Sequence, residues 1–271
     1  RIPVGANPRG IAVSKDGKFV AVANRLDDSI VLIDATTNNI ERTIPVNNAD
    51  FGPRNALVRQ GEKLFHSGAL SFSGQFSCAS CHPDGQTDGL NWDLPADGFN
   101  NFHNTKTLLG TAGTAPYGWE GTSPDLRARF TGTLRHLFQH EPMEEEAAAL
   151  EAYLAQLDYP AKLPHRVDPE STAARRGRAL FEGAARCSDC HNGSKFTDRK
   201  THDVGTASGA DVAFDTPSLV RISETAPYLH DGRAETLAEI FTRHNSSGEH
   251  GGAADLSAEQ LVDLVEYLKS L

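Results

Sequence analysis

Cys78-Ala79-Ser80-Cys81-His82 and Cys187-Ser188-Asp189-Cys190-His191 are two copies of one pattern, and together they use every cysteine in the chain. Thiols three residues apart lie on one side of a helical turn, where each can add to a vinyl group of a haem. The histidine that follows is then placed under the iron. Three other readings compete. Two disulfides would leave the histidine after each pair unexplained. Structural zinc usually collects two such pairs in one compact site, whereas these pairs stand 109 residues apart in similar contexts. Chance composition would leave a cysteine over. The expectation is two covalently held c-type haems, one on Cys78, Cys81 and His82, the other on Cys187, Cys190 and His191.

Outward from these motifs the text repeats itself. Gly61-Glu62-Lys63-Leu64-Phe65 precedes the first and Gly177-Arg178-Ala179-Leu180-Phe181 the second. Thr114-Ala115-Pro116-Tyr117 follows the first and Thr225-Ala226-Pro227-Tyr228 the second, 111 residues on. Each copy reads as helical. From Arg54 to Phe65, residues Leu57, Gly61, Leu64 and Phe65 share one helical face. Met143 to Leu157 is rich in strong helix formers and carries Leu150, Tyr153 and Leu154. Ser257 and Gln260 form a capping box for a last helix that carries Leu264, Tyr267 and Leu268 and runs to about Ser270. The leucines and phenylalanines are read as core. Three prolines between Tyr159 and Pro169 mark a linker.

The first 46 residues differ. Gly10–Val13, Phe19–Ala23 and Ser29–Ile33 are short β-rich runs, punctuated by Asp16-Gly17, Asp34 and Asn38-Asn39. Asn7-Pro8-Arg9-Gly10-Ile11-Ala12-Val13 through Asp16-Gly17-Lys18 resembles one blade of a YVTN-type β-propeller. One blade cannot bury its own faces, so the segment either belongs to a larger propeller or lies as a small sheet against the haem domains. The expected fold is mainly α: two tandem cytochrome c-like domains at 54–159 and 170–271, after a β-rich segment at 1–48.

With 38% hydrophobic and 23% charged residues among 271, the composition is that of a globular protein. A formal charge of −10 argues against a nucleic-acid partner. No apolar run reaches the ~18 residues of a membrane span. Haem c is attached outside the cytoplasm, so a periplasmic or other extracytoplasmic location is expected, with a leader removed or lying outside this sequence.

Thr225-Ala-Pro-Tyr-Leu-His-Asp-Gly232, with Phe196-Thr197-Asp198, His202–Thr206 and Phe214–Leu219, resembles the bacterial di-haem cytochrome c peroxidase and MauG superfamily over residues 54–271. The resemblance implies that the C-terminal haem receives and stores electrons while the N-terminal haem meets peroxide. Trp119 falls where the family has a tryptophan between the haems. Asn104, Thr225 and Pro227 fall where it holds a calcium ion, a hard cation suited to side-chain and carbonyl oxygens.

Departures from the family pattern bear on mechanism. A methionine commonly ligates the electron-storing iron, but the single methionine, Met143, lies in the first half. His244 stands at the expected place, which implies His191/His244 ligation and a lower potential. At the first haem, Gln139 replaces the distal glutamate and cannot exchange a proton with peroxide. Glu141 or His140 could substitute, or His136 or His140 could close the iron, with His103 and Met143 as further candidates. His230 is read as local to the second haem or the interface, not catalytic. His66, His165, His202 and His250 receive the bland reading of surface or hydrogen-bonded residues.

The resulting expectation is a peroxidase drawing electrons from a small cytochrome c or cupredoxin through the second haem and Trp119 to reduce H2O2, with a homodimer implied by many relatives. The alternatives are a pure electron carrier, a MauG-like oxidant of a protein or organic substrate, and the haem portion of a larger propeller protein.

Overall fold

A computed structural model describes residues 1–46, 55–94, 99–160, 164, 166–207 and 212–271. Three sequence readings fall outside these residues: the helix start at Arg54, the boundary at residue 48, and His165.

The N-terminal segment is an antiparallel meander of β1 (Pro8–Val13), β2 (Phe19–Asn24), β3 (Ser29–Asp34) and β4 (Ile40–Pro45). β4 was not among the expected runs, because Ile40-Glu-Arg-Thr-Ile-Pro45 mixes charges into its apolar positions. Turn chemistry follows the sequence. Gly17 supplies a φ of +72° between β1 and β2, and Asp34 Oδ1 accepts from the backbone N–H groups of Thr36 and Thr37 at 2.7 and 2.9 Å. Val22, Val31 and Ile33 pack with Ile2, Val4 and Val20 into a small core, while β1 and β4 are exposed along their lengths.

Charge ties this sheet to the first half. Arg25 pairs with Asp84 at 2.6 Å and Glu62 at 3.2 Å, Arg9 also pairs with Asp84, and Arg59 reaches Asp28 at 3.1 Å. Arg59 also donates to the Arg25 carbonyl at 2.6 Å.

Among the described residues the helices are α1 (Ala56–Phe65), the single turn α2 (Cys78–Cys81), α3 (Leu126–Thr133), α4 (Glu144–Leu154), α5 (Thr172–Glu182), α6 (Leu237–Thr242) and α7 (Ala258–Lys269). The short pairs β5 (Asn91–Asp93) with β6 (Phe102–Asn104), and β7 (Thr201–His202) with β8 (Phe214–Asp215), lie in the loops between them. Helix ends obey local rules. Asn55 Oδ1 caps α1 at Leu57 N, 2.9 Å. Ser257 and Gln260 make the reciprocal capping box of α7, 2.8 and 3.2 Å. α4 stops at Leu154, three residues before the expected Leu157.

Two helix pairs carry the architecture, α1 against α4 and α5 against α7. Both cross at a glycine. A Cβ on Gly61 would overlap the Ala149 carbonyl and come within 2.7 Å of Tyr153 Cβ. A Cβ on Gly177 would meet Asp263 O and Tyr267 Cβ in the same way. The aromatics beside the crossings repeat as well, with ring centroids 5.3 Å apart for Phe65 and Tyr153 and 5.2 Å for Phe181 and Tyr267. Each buried Phe or Leu at these crossings contributes about 1.5–3 kcal/mol. Leu57 is the exception on its predicted face: it is exposed, one turn beyond the crossing.

Polar contacts tie the second half to the first and to the linker. Lys195 Nζ donates to Gly110 O at 3.1 Å, and Arg221 holds the linker carbonyl of Pro164 at 2.8 Å.

Candidate functional site

Each Cys-x-x-Cys-His motif is a tight turn whose histidine is oriented by a carbonyl five or fewer residues on. His82 Nδ1 hydrogen-bonds Gln86 O at 3.3 Å, and His191 Nδ1 hydrogen-bonds Phe196 O at 3.1 Å. That bond fixes the ring and leaves Nε2 as the ligating nitrogen. Burial lowers both imidazole pKa values, favouring the neutral form that binds a metal. Burial also pushes the Cys78 and Cys187 thiols up to about 12, so neither is poised as a free thiolate. Among the described residues the group with metal-ligand spacing is Cys190, Asp198 and His202, which does not unite the two cysteine pairs as a zinc site would.

Trp119 stands between the two motifs in the sequence. Its Nε1–H donates to Asn104 O at 2.8 Å, and its own carbonyl accepts from Asp215 N of the second half at 2.7 Å. Lys106 Nζ stands 4.3 Å over the ring centroid. The Trp119 ring is 6.5 Å from that of His230, which is buried and stacked on Phe214 at 4.0 Å. Matching bridges, Tyr117 with Ser123 and Tyr228 with Ala234, set the repeat register, and in it Trp119 and His230 are equivalent positions. His230 thus lies at the junction of the halves, as its sequence context suggested.

The sequence profile of the family described as di-haem cytochrome c peroxidase matches residues 55–182. Hydrazine synthase subunit gamma of Kuenenia stuttgartiensis is 32% identical over 80% of this chain and 78% of its own length. The chain belongs to the di-haem cytochrome c peroxidase family. The methylamine utilization protein MauG of Methylophilus methylotrophus is 26% identical over 78% of this chain and 81% of its own length. A solved structure of the Kuenenia stuttgartiensis hydrazine synthase superposes with a TM-score of 0.72 at 29% identity, covering 81% of this chain and 89% of that one. The peroxidase family is one of haem-dependent oxidoreductases, and the two oriented histidines with their paired cysteines fit that cofactor.

In this di-haem peroxidase family member, the segment expected over the first iron follows α3. α3 runs into a π-turn at 134–138 that buries Leu134 and Phe138. Gln139 then takes a left-handed φ of 54° and ends the helix. With Leu134 and Phe138 facing the core, His136 and Gln139 are exposed. Glu141 is exposed and held by Arg135 through two bonds of 2.6 Å. His140 Nε2 is engaged by Glu146 Oε2 at 2.8 Å, and Met143 is exposed. The geometry therefore does not gather His136, Gln139, His140 and Glu141 into a proton-transfer cluster. His103 lies at the junction of the halves, its Nε2 3.1 Å from Glu120 and its ring 6.3 Å from His230.

At the second motif the imidazole across from His191 is His250, with ring centroids 6.5 Å apart. Its backbone is hydrogen-bonded to Asn245. His244 closes the last turn of α6, its backbone N–H on Glu239 O at 3.2 Å. Burial, with the charge of His191 second, pushes the His250 imidazole down to about 4. The sequence did carry a signal, since His250 sits among Gly248, Gly251 and Gly252, a backbone built to pass close to another segment.

Asn104 and Pro227 do meet. Asn104 Nδ2 is 2.5 Å from Pro227 O, while the buried Asn104 Oδ1 has no hydrogen-bond partner. Turning the amide over would aim two oxygens at one point, the arrangement a hard cation would hold. His202 is bonded to Asp198 at 2.8 Å, and His66 is half-buried at the end of α1.

Proposed function

We propose that this chain is an extracytoplasmic di-haem c-type peroxidase that reduces H2O2 in its first half with electrons received in its second. The observation that supports this most directly is Trp119, an oxidisable ring tied by hydrogen bonds to its own half at Asn104 and to the other at Asp215. Bound haems would supply a peroxide-reactive iron on His82 and an electron store on His191.

The chain's own residues do the rest. Cys78, Cys81, Cys187 and Cys190 tether the groups, and the Gln86 and Phe196 carbonyls hold the two imidazoles in one tautomer. The Asn104 carbonyl keeps the indole proton on Nε1, so that Trp119 can give up and regain an electron without losing it. Asn104 and Pro227, with Thr225, form the candidate calcium site, which would brace the junction. We take residues 54–159 and 170–271 as two cytochrome c-like domains, preceded by a blade-like segment at 1–48. The donor in this reading is a small cytochrome c or cupredoxin, and the protein is a homodimer.

A second reading, an electron carrier, is favoured by the engagement of Glu141 with Arg135 and of His140 with Glu146. Steady-state peroxide consumption with a pre-reduced small cytochrome or copper protein decides between them. The peroxidase reading expects turnover that falls at least tenfold in Trp119→Phe with both haem spectra unchanged. Two low-spin haems that ignore peroxide in every redox state would establish the carrier instead.

A further inference from the structure

We infer that His250 is the second axial ligand of the haem carried by Cys187, Cys190 and His191. This rests on the di-haem reading and deepens it, because it decides how the electron-storing iron is closed.

The geometry is that of two imidazoles facing one metal. Their ring centroids are 6.5 Å apart, with planes inclined by 39°. A metal–imidazole bond of about 2 Å on each side, plus the half-width of each ring, gives a separation of about 6 Å. His191 Nδ1 is engaged by Phe196 O, which leaves its Nε2 for the iron. His250 Nδ1 is shut off from solvent and has no hydrogen-bond partner. A buried ring nitrogen left in that state is costly, and coordination through it would satisfy it.

The backbone around His250 is built to hold it there. The buried Asn245 clamps it from both sides: Oδ1 accepts from His250 N at 2.9 Å, and Nδ2 donates to His250 O at 3.0 Å. Two residues on, Gly252 N donates to Ala185 O at 2.8 Å, so the His250 loop is bonded directly to the strand of chain that enters Cys187. Glycine is required at that contact. A Cβ on Gly251, whose φ is +70°, would stand 2.8 Å from Ala185 O. The two ligand-bearing segments are therefore bonded directly to one another. An imidazole pair would also give the store a lower potential than a histidine–methionine pair.

The test is near-infrared magnetic circular dichroism and electron paramagnetic resonance of the ferric holoprotein, with haems counted by the pyridine haemochrome assay. His250→Ala should convert one low-spin haem to high spin, and added imidazole should restore it. His250→Met should keep that haem low-spin and raise its potential in a redox titration, and His244→Ala should leave the spectra unchanged. An unaltered low-spin signature in His250→Ala, or its loss in His244→Ala, overturns the assignment while two haems per chain keep the di-haem reading intact. Fewer than two haems in the wild-type protein overturns both.

Discussion

Lys106 Nζ lies 4.3 Å from the centroid of the Trp119 ring, and from there it also donates to Gly118 O at 3.0 Å and faces Asp215 Oδ2 at 3.5 Å. In the repeat register Lys106 stands where the second half has Pro217. A cation over an indole face gains about 0.5–2 kcal/mol from the ring's electrons and opposes the removal of one of them. Lys106→Met should make Trp119 easier to oxidise and speed electron transfer between the halves by up to about tenfold, the factor carried by ~1.4 kcal/mol. Lys106→Arg, which keeps a charge, should stay near the wild-type rate. Flash-photolysis of the half-reduced protein reads this directly, and equal rates for Lys106→Met and wild type would refute it.

Asp215 gives a pH signature. Burial raises its carboxyl to about 6, against the opposing pull of Lys106. An unfolded aspartate titrates near 4, so between about pH 4 and pH 6 the folded chain holds a proton that the unfolded chain has lost. This group's contribution to stability is therefore largest at the acid end and declines as pH rises through that window. Thermal melts of wild type and Asp215→Asn across the window should show a flatter slope for the variant. Parallel slopes would count against the shift.

The helix crossings predict opposite outcomes for two glycines. Gly177→Ala must push a methyl into the Asp263 carbonyl and should cost about 3 kcal/mol, at the upper end of overpacking effects. Gly132 lies in α3 with open space where a Cβ would go, so Gly132→Ala should stabilise by about 0.5–1 kcal/mol through helix propensity. Denaturant melts of the two variants test both signs at once.

The orphaned Asn104 Oδ1 beside Pro227 predicts that calcium stabilises the folded chain. At a calcium concentration about 100 times its dissociation constant the gain should be about 2.7 kcal/mol, and Asn104→Ala should abolish it. Thermal melts with and without a chelator check this; a wild-type melting temperature indifferent to both would dismiss the site.

The parts of this protein written in local chemistry were legible from its residues. The cysteine–histidine spacing, the Ser257–Gln260 box, the Asp16-Gly17 turn and the Gly61 face each depend on neighbours within one or two turns. The second imidazole was not legible in the same way. Its place depends on how far the loop after α6 travels before returning to Ala185, whereas register from a family pattern singles out His244. The path of the segment from His136 to Glu141 was not legible for a related reason. Its helix ends through a π-turn and a left-handed Gln139, which rotates the expected side chains outward. Lys106 over Trp119 is a contact across a loop, and no periodicity announces it.

Trp119 and His230 occupy one repeat position in the two halves, yet here they confront each other across the seam. The two halves are therefore coupled at this point, because each lends the other an aromatic wall. Substitutions at these two sites should be epistatic, with a combined effect that departs from the sum of the separate ones.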